Sequence, residues 1–159
     1  MNTCTAFLLL ILKLLFGTDE LTEPSKATCE KCDIARLAKT EAQLGDLSRE
    51  EIETFFCTIE NSCKVNVEFS EYLSEVLFMV LAEEPKLSIT CLSAMNESKL
   101  QLILEELKNP HESVDLNKLY SKITSVKGHH RIRKRVLTSL QIARNKSGPH
   151  PNPLVKSRK

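Results

Sequence analysis

The longest apolar pattern of the chain lies between Cys63 and Cys91. Apolar residues recur there at helical spacing and then merge into an unbroken run at residues 76–82, which predicts a helix covered on nearly all sides. Asn66 can cap the start of this helix, and Pro85 ends it because proline has no N–H and clashes with the preceding turn. A turn at 84–86 and a renewed apolar pattern at 87–91 are expected to follow. Other elements must therefore pack around this central helix.

Shorter amphipathic patterns flank the central helix. Helices are predicted at 29–44 and 48–60 before it, and at 99–108 and 113–126 after it. Ser48 with Glu51 forms a capping box, and the sequence Asn96-Glu97-Ser98 caps the next helix. The breaks are brief, aromatic residues are scarce and Trp is absent, which suits helices packed on helices. The predicted fold is all-α, a small disulfide-linked bundle of short antiparallel helices at 29–126.

The end of the chain is basic. Ile132, Val136, Leu140 and Ala143 are spaced as one face of a helix, so residues 127–145 are predicted to form a basic amphipathic helix, followed by a disordered basic tail at 146–159. Residues 18–115 hold 9 Lys and Arg against 21 Asp and Glu, a difference of −12, whereas residues 116–159 hold 12 Lys and Arg and no acid. Either this part folds back on the acidic body, or it is an arm that binds an anionic polymer.

The start of the chain is typical of a secreted protein. Residues 1–17 predict a signal peptide, because their apolar run is shorter than the ~20 residues needed to span a bilayer and Gly17 offers a small residue for cleavage. Lys13 within the run leaves a membrane-anchoring or buried segment as the alternative. Residues 18–28 form a polar lead-in.

Secretion makes disulfides the default for the cysteines of the mature chain. There are five, an odd number: Cys29, Cys32, Cys57, Cys63 and Cys91. A turn is expected between Cys57 and Cys63, because an unbroken helix would hold their Cα atoms about 9 Å apart, beyond disulfide reach. Cys29-x-x-Cys32 as a redox pair and a zinc site are the less favoured alternatives, and no metal or other cofactor is expected.

The sequence lacks familiar catalytic motifs but contains motifs for glycosylation and proteolytic processing. The sequence contains no Gly-rich phosphate loop, G-x-S-x-G turn or H-E-x-x-H helix, so an enzyme is not expected. Asn96 and Asn145 begin glycosylation sequons. Lys134-Arg135 is either a site of proteolytic processing, part of the polar face of the last helix, or part of a patch for heparin or an anionic membrane.

Residues 29–95 resemble a saposin-type domain, with the CEKC opening, LSREEIETFF, EYLSEVLFMVLAEE and a cysteine in ITCLSAM after a proline turn. The resemblance implies Cys32–Cys91 and Cys57–Cys63 disulfides and a lipid-binding surface lined by Leu77, Phe78 and Met79. Glu97 stands where the family has its sixth cysteine, which would leave Cys29 free to link two copies of the chain. The implied function is a secreted module that binds lipid or a membrane surface.

A second resemblance is to short-chain helical cytokines of the interleukin-4 and interleukin-13 group. It is carried by Cys32-Asp33-Ile34 opening a helix and by ITCLSAMNESKLQLILEELK. It implies a ligand of a cell-surface receptor, with Glu105 or Glu106 on a charged contact face. Such bundles need two long crossover connections, and the brief breaks here favour the saposin-like alternative. No nucleic-acid partner is expected on either interpretation.

Overall fold

A computed structural model describes residues 29–111 and 113–147, with the side chain of Ser147 left out. The predicted signal peptide (1–17), the lead-in (18–28) and the tail from residue 148 onwards lie outside this part of the chain. Within it every regular element is helical, which confirms the all-α prediction. The helices are α1 (Ile34–Ala42), α2 (Arg49–Thr58), a 3₁₀ turn (Asn61–Val65), α3 (Val67–Glu83), α4 (Pro85–Ala94), α5 (Glu97–Glu106), α6 (Leu116–Ser125) and α7 (His130–Ser147).

The helix starts follow the capping residues of the sequence. Ser48 and Glu51 form the predicted capping box, with the Glu51 N–H donating to Ser48 Oγ at 3.2 Å and the Ser48 N–H donating to Glu51 Oε2 at 2.8 Å. Asn66 and Asn96 cap α3 and α5 as predicted, with Oδ1 accepting from the backbone N–H three residues on. These bonds satisfy backbone donors that the first turn of a helix leaves unpaired.

The start of the first helix and the turn before α4 differ from the prediction. The first helix begins at Ile34 rather than 29, because Cys32 has a left-handed backbone (φ +56°) and Asp33 caps the helix after it. The turn predicted at 84–86 is reduced to Glu84, since Pro85 and Lys86 already belong to α4. Proline ends α3 as expected, but its fixed φ and missing N–H also suit the first position of the next helix.

The predicted central helix, α3, forms the middle of the bundle and packs against α1, α4, α6 and the 3₁₀ turn. Its core residues are Phe69, Leu73, Val76, Leu77, Phe78, Val80 and Leu81. Fully burying one such side chain stabilises the fold by roughly 1.5–3 kcal/mol. Tyr72, on the same helix, donates a hydrogen bond to Glu41 of α1 at 2.5 Å, and this bond raises the pKa of Tyr72 to about 12.

Three cations from later in the chain bind the carboxyl ends of earlier helices. The Lys99 ammonium donates to the carbonyls of Cys57, at 2.8 Å, and Ile59 where α2 ends. Lys122 donates to the Ala82 carbonyl at the end of α3, at 2.5 Å, and Arg133 donates to the Val126 carbonyl that follows α6. A positive charge is favourable at these ends because the last carbonyls lack partners and the helix dipole is negative there.

Lys99 is the most enclosed of these three sites. Its side chain is only 15% exposed, and its ammonium lies 3.6 Å from the Glu60 carboxylate. Burial lowers the pKa of Lys99, while Glu60 acts in the opposite direction. The bonds to two backbone carbonyls thus compensate for taking the ammonium out of water.

We expect Lys99→Met to lower the free energy of unfolding by about 1–3 kcal/mol, because two buried carbonyls lose a charged donor. Urea denaturation monitored by circular dichroism measures the change. Lys86→Met, at an exposed position of α4, is the control and should change stability by less than about 0.5 kcal/mol. Equal effects of the two substitutions would contradict the capping role of Lys99.

Candidate functional site: disulfides and surfaces

The disulfides join the two ends of the first helical hairpin. Cys29 bonds to Cys57 and Cys32 bonds to Cys63, with Cα–Cα distances of 5.7 and 5.3 Å. The chain entering α1 thus lies beside the chain leaving α2, and the Cys32 N–H also donates to the Thr58 carbonyl at 3.3 Å. The two bridges form a double clamp within residues 29–63.

The disulfide pairing predicted from the saposin resemblance is therefore wrong. Cys32 does not reach Cys91, because Cys91 lies inside α4, fully buried, with its sulfur directed at the Arg49 carbonyl 3.8 Å away. Cys57 and Cys63 do not pair with each other, because Cys57 lies in α2 and Cys63 in the 3₁₀ turn, and each bonds to a different cysteine before α1. The redox alternative also fails in this arrangement, since Cys29 and Cys32 bond elsewhere.

Among the described cysteines, the free thiol is Cys91 rather than Cys29. Burial raises the pKa of Cys91 to about 11, so the thiolate that reacts with other thiols is scarce at neutral pH. Cys29, through which a dimer was predicted, already forms a bond within its own chain. This arrangement removes the basis for a disulfide-linked dimer through Cys29.

The residues predicted to face lipid lie in the core or at its edge. Leu77 and Phe78 are 0% and 1% exposed, and Met79 is partly buried against the same cluster. A pocket beside the 3₁₀ turn has a volume of about 10 Å³, about the smallest space that holds one water. Of these three residues, α3 therefore presents only part of Met79 to a membrane.

The basic helix, α7, folds back on the body through its apolar face. Val136, Leu140 and Ala143 are fully buried, as the amphipathic pattern predicted. The helix runs two residues beyond the predicted limit, so Lys146 and Ser147 are helical rather than part of the tail. It carries six Lys and Arg and no acid, and of these Arg135 alone forms an ion pair with a described carboxylate.

The Arg135 ion pair joins α7 to the start of α5. Its guanidinium makes two hydrogen bonds to the Glu97 carboxylate, at 2.5 and 2.9 Å, and a third to Gln101 at 3.1 Å. These bonds, with a smaller effect from Arg131, lower the pKa of the Glu97 carboxyl. Of the two alternatives for the basic segment, α7 therefore follows the first, since it folds back on the acidic body. Most of its Lys and Arg side chains nevertheless have no paired carboxylate in the described ranges.

An open groove of about 250 Å³ separates α5 from α7. Its floor includes Leu104 and Ile142, and Lys108, Lys134 and Arg135 stand around it with Gln101, Thr138 and Ser139. The residues combine an apolar floor with cationic and hydroxyl donors, so the groove suits an anionic partner. No pattern in the sequence predicted this groove, because α5 and α7 are distant along the chain and become neighbours only in the tertiary structure.

The other predicted positions differ in their accessibility. Lys134-Arg135 lies in the middle of α7 beside buried Val136, where cleavage would require the helix to unfold. Asn145 is exposed on the same helix, and its Oδ1 accepts a hydrogen bond from Gln141 at 2.9 Å. Asn96 is exposed and caps α5 through Oδ1, so the nitrogen that would carry a glycan takes no part in the cap.

Glu105 and Glu106, the two carboxylates predicted to contact a receptor, differ in exposure. The Glu106 side chain is 14% exposed and lies 2.9 Å from the Lys64 ammonium. Glu105 is 44% exposed and lies 2.5 Å from Lys108, which lowers the pKa of Glu105. Glu105 is therefore the more accessible of the two.

Among the described residues, no group of three His, Cys, Asp or Glu is arranged to hold a metal ion. No helix there is both long and apolar enough to cross a bilayer.

Comparison with family models, curated proteins and solved structures found no match to this chain. The saposin and cytokine resemblances therefore depend on their short motifs alone, and the pairing that the first one implied is not the one observed.

We expect non-reducing peptide mapping of the secreted protein to recover Cys29–Cys57 and Cys32–Cys63, and gels to show a monomer. Cys91 should resist a maleimide in buffer and react fully in urea, because its sulfur is buried. Cys91→Ser serves as the control that removes the signal. A Cys32–Cys91 peptide, or rapid labelling of the folded protein, would contradict this arrangement.

We expect expression in eukaryotic cells to add a glycan at Asn96, and Ser98→Ala to remove it without loss of stability, since the Oδ1 cap remains. Asn96→Ala is the matched variant, which loses both the glycan and the cap and should cost about 1 kcal/mol. Intact mass and thermal unfolding distinguish the two. An unchanged mass for Ser98→Ala would show that Asn96 is unmodified.

Proposed function

We propose that this protein is a secreted, non-enzymatic helical ligand that acts on a cell-surface receptor through its outer surface. The observation that carries the proposal is the burial of Leu77 and Phe78, because the apolar run that would serve a lipid-binding surface is used to hold the bundle together. A partner would then bind to the charged outer surface of the helices.

The outer face of α5 supports this role. Glu105 is exposed there beside Gln101 and Lys108, on a helix anchored by its Asn96 cap and by Lys99 at the end of α2. A charged face held on a packed helix loses little freedom on binding, which favours specific recognition.

The saposin-like lipid-binding function is the second candidate, and the position of the disulfides favours it. Both bridges lie within residues 29–63, so no disulfide among the described residues joins α3 to α4, α5, α6 or α7. Only Glu84 separates α3 from α4. The covalent structure thus allows the bundle to open and expose Leu77, Phe78 and Met79.

For the receptor ligand, we expect saturable binding to the surface of responsive cells that is lost when the cells are treated with trypsin. Glu105→Lys should weaken this binding about fivefold to tenfold, mostly through slower association. Glu53→Lys is the matched control, since the Glu53 side chain is 43% exposed and also pairs with a cation on its own helix. An equal loss in both variants would contradict a contact at α5.

Vesicle sedimentation separates the two candidates. The receptor ligand should not sediment with phosphatidylserine vesicles at pH 7.4 or pH 5. Sedimentation that strengthens at pH 5, as the acidic body loses charge, would support the lipid-binding function. If it occurred without saturable cell binding, the receptor proposal would be wrong.

A further inference from the structure

A row of exposed side chains runs along the outer side of α7. Arg131, Lys134, Thr138, Ile142 and Lys146 follow one another at intervals of three or four residues, which places them on one side of a helix. From the first to the last the row spans about 22 Å at the rise of an α-helix. We call these five residues the cationic row.

The charge of the row is not neutralised by the body beneath it. Arg135, behind the row, forms the ion pair with Glu97, while Lys146 donates to the neutral Asn109 amide at 2.9 Å. Lys108, two residues after the end of α5, lies on the opposite side of the groove, where it is paired with Glu105. After residue 147, the sequence adds Lys156, Arg158 and Lys159 and no acid. A linear anion along α7 would therefore meet an excess of positive charge along its length.

The packing of α7 argues against a membrane as the occupant. Helices that lie in a bilayer surface insert an apolar face, but Val136, Leu140 and Ala143 are buried against the body. Ile142, at 36%, is the one large apolar side chain of α7 that ranks as exposed. A single isoleucine provides too little apolar area for stable insertion.

The composition of α7 also argues against nucleic acid. Proteins that bind single strands stack bases on aromatic rings, and α7 has no aromatic residue. Thr138, Gln141 and Asn145 are exposed between the cations. Thr138 donates to the Lys134 carbonyl and Gln141 donates to Asn145, but the Thr138 hydroxyl can still accept a hydrogen bond and the Asn145 amide nitrogen can still donate one, which suits a ligand bearing both sulfates and hydroxyls.

We propose that the cationic row binds a linear sulfated polysaccharide, with Arg131, Lys134 and Lys146 pairing with successive sulfate groups. The proposed sulfate contacts lie on α7, whereas the exposed Glu105 contact lies on α5 and the buried apolar run on α3, so the proposal does not require either proposed function to be correct.

The test measures the affinity of the full secreted chain for heparin at about 0.15 M salt. The double variant Lys134→Glu/Lys146→Glu should bind about tenfold or more weakly and elute from immobilised heparin at lower salt. The matched control is Lys39→Glu/Lys86→Glu, which makes the same charge change at exposed lysines of α1 and α4 and should weaken binding less than about threefold. Circular dichroism establishes that both variants remain folded.

Competition identifies the class of polyanion. Heparin oligosaccharides should displace the protein from immobilised heparin, whereas desulfated heparin and duplex DNA of equal charge should not. Equal weakening in the two double variants would overturn the proposal, because net charge alone would explain the binding. Competition by DNA as strong as that by heparin would also overturn it, as would sedimentation of the wild type with phosphatidylserine vesicles at physiological salt that the Lys134→Glu/Lys146→Glu variant loses.

Discussion

Burial of α3 is the constraint on which the rest of the bundle depends. Phe69, Leu77, Phe78, Val80 and Leu81 are all at most 1% exposed, and they occupy different sides of one helix. A helix of this kind has no favourable position at a surface, so helices from both sides of it in the chain must cover it. The cost of opening the bundle is therefore greatest at the same apolar run that a lipid-binding function would have to expose.

The carboxyl ends of α2, α3 and α6 would leave part-buried carbonyls without donors. Lys99, Lys122 and Arg133 supply these donors from positions further along the chain, and two of the three sites link residues about 40 positions apart. Lys122 and Arg133 belong to the basic part of the chain after residue 115, so some of its positive charge has a structural role. The cationic row on the outer side of α7 has no comparable role within the described fold, which is why we assign it to a partner.

The double clamp at Cys29–Cys57 and Cys32–Cys63 constrains the first hairpin, whereas the candidate surfaces lie on α5 and α7. Those two helices are held instead by buried side chains such as Leu104 and Val136 and by the bidentate Arg135–Glu97 pair. The two halves of the molecule therefore depend on different interactions. Reduction should loosen the hairpin first, while the surface formed by α5 and α7 depends on packing.

The sequence by itself determined the helices and most of their boundaries, because apolar spacing and the caps at Ser48, Asn66 and Asn96 involve residues within one or two turns. It also predicted the amphipathic character of α7, since Val136, Leu140 and Ala143 are periodic. Only the tertiary structure decided which cysteines pair, which cations cap helices and where α5 and α7 form a groove. Each of these depends on contacts between segments distant along the chain, and neither spacing nor a family likeness specified which segments would meet. Cys91 is an example. Its position after a proline turn resembled that of a disulfide partner, but in the fold it is a free cysteine inside α4, with its sulfur beside the Arg49 carbonyl.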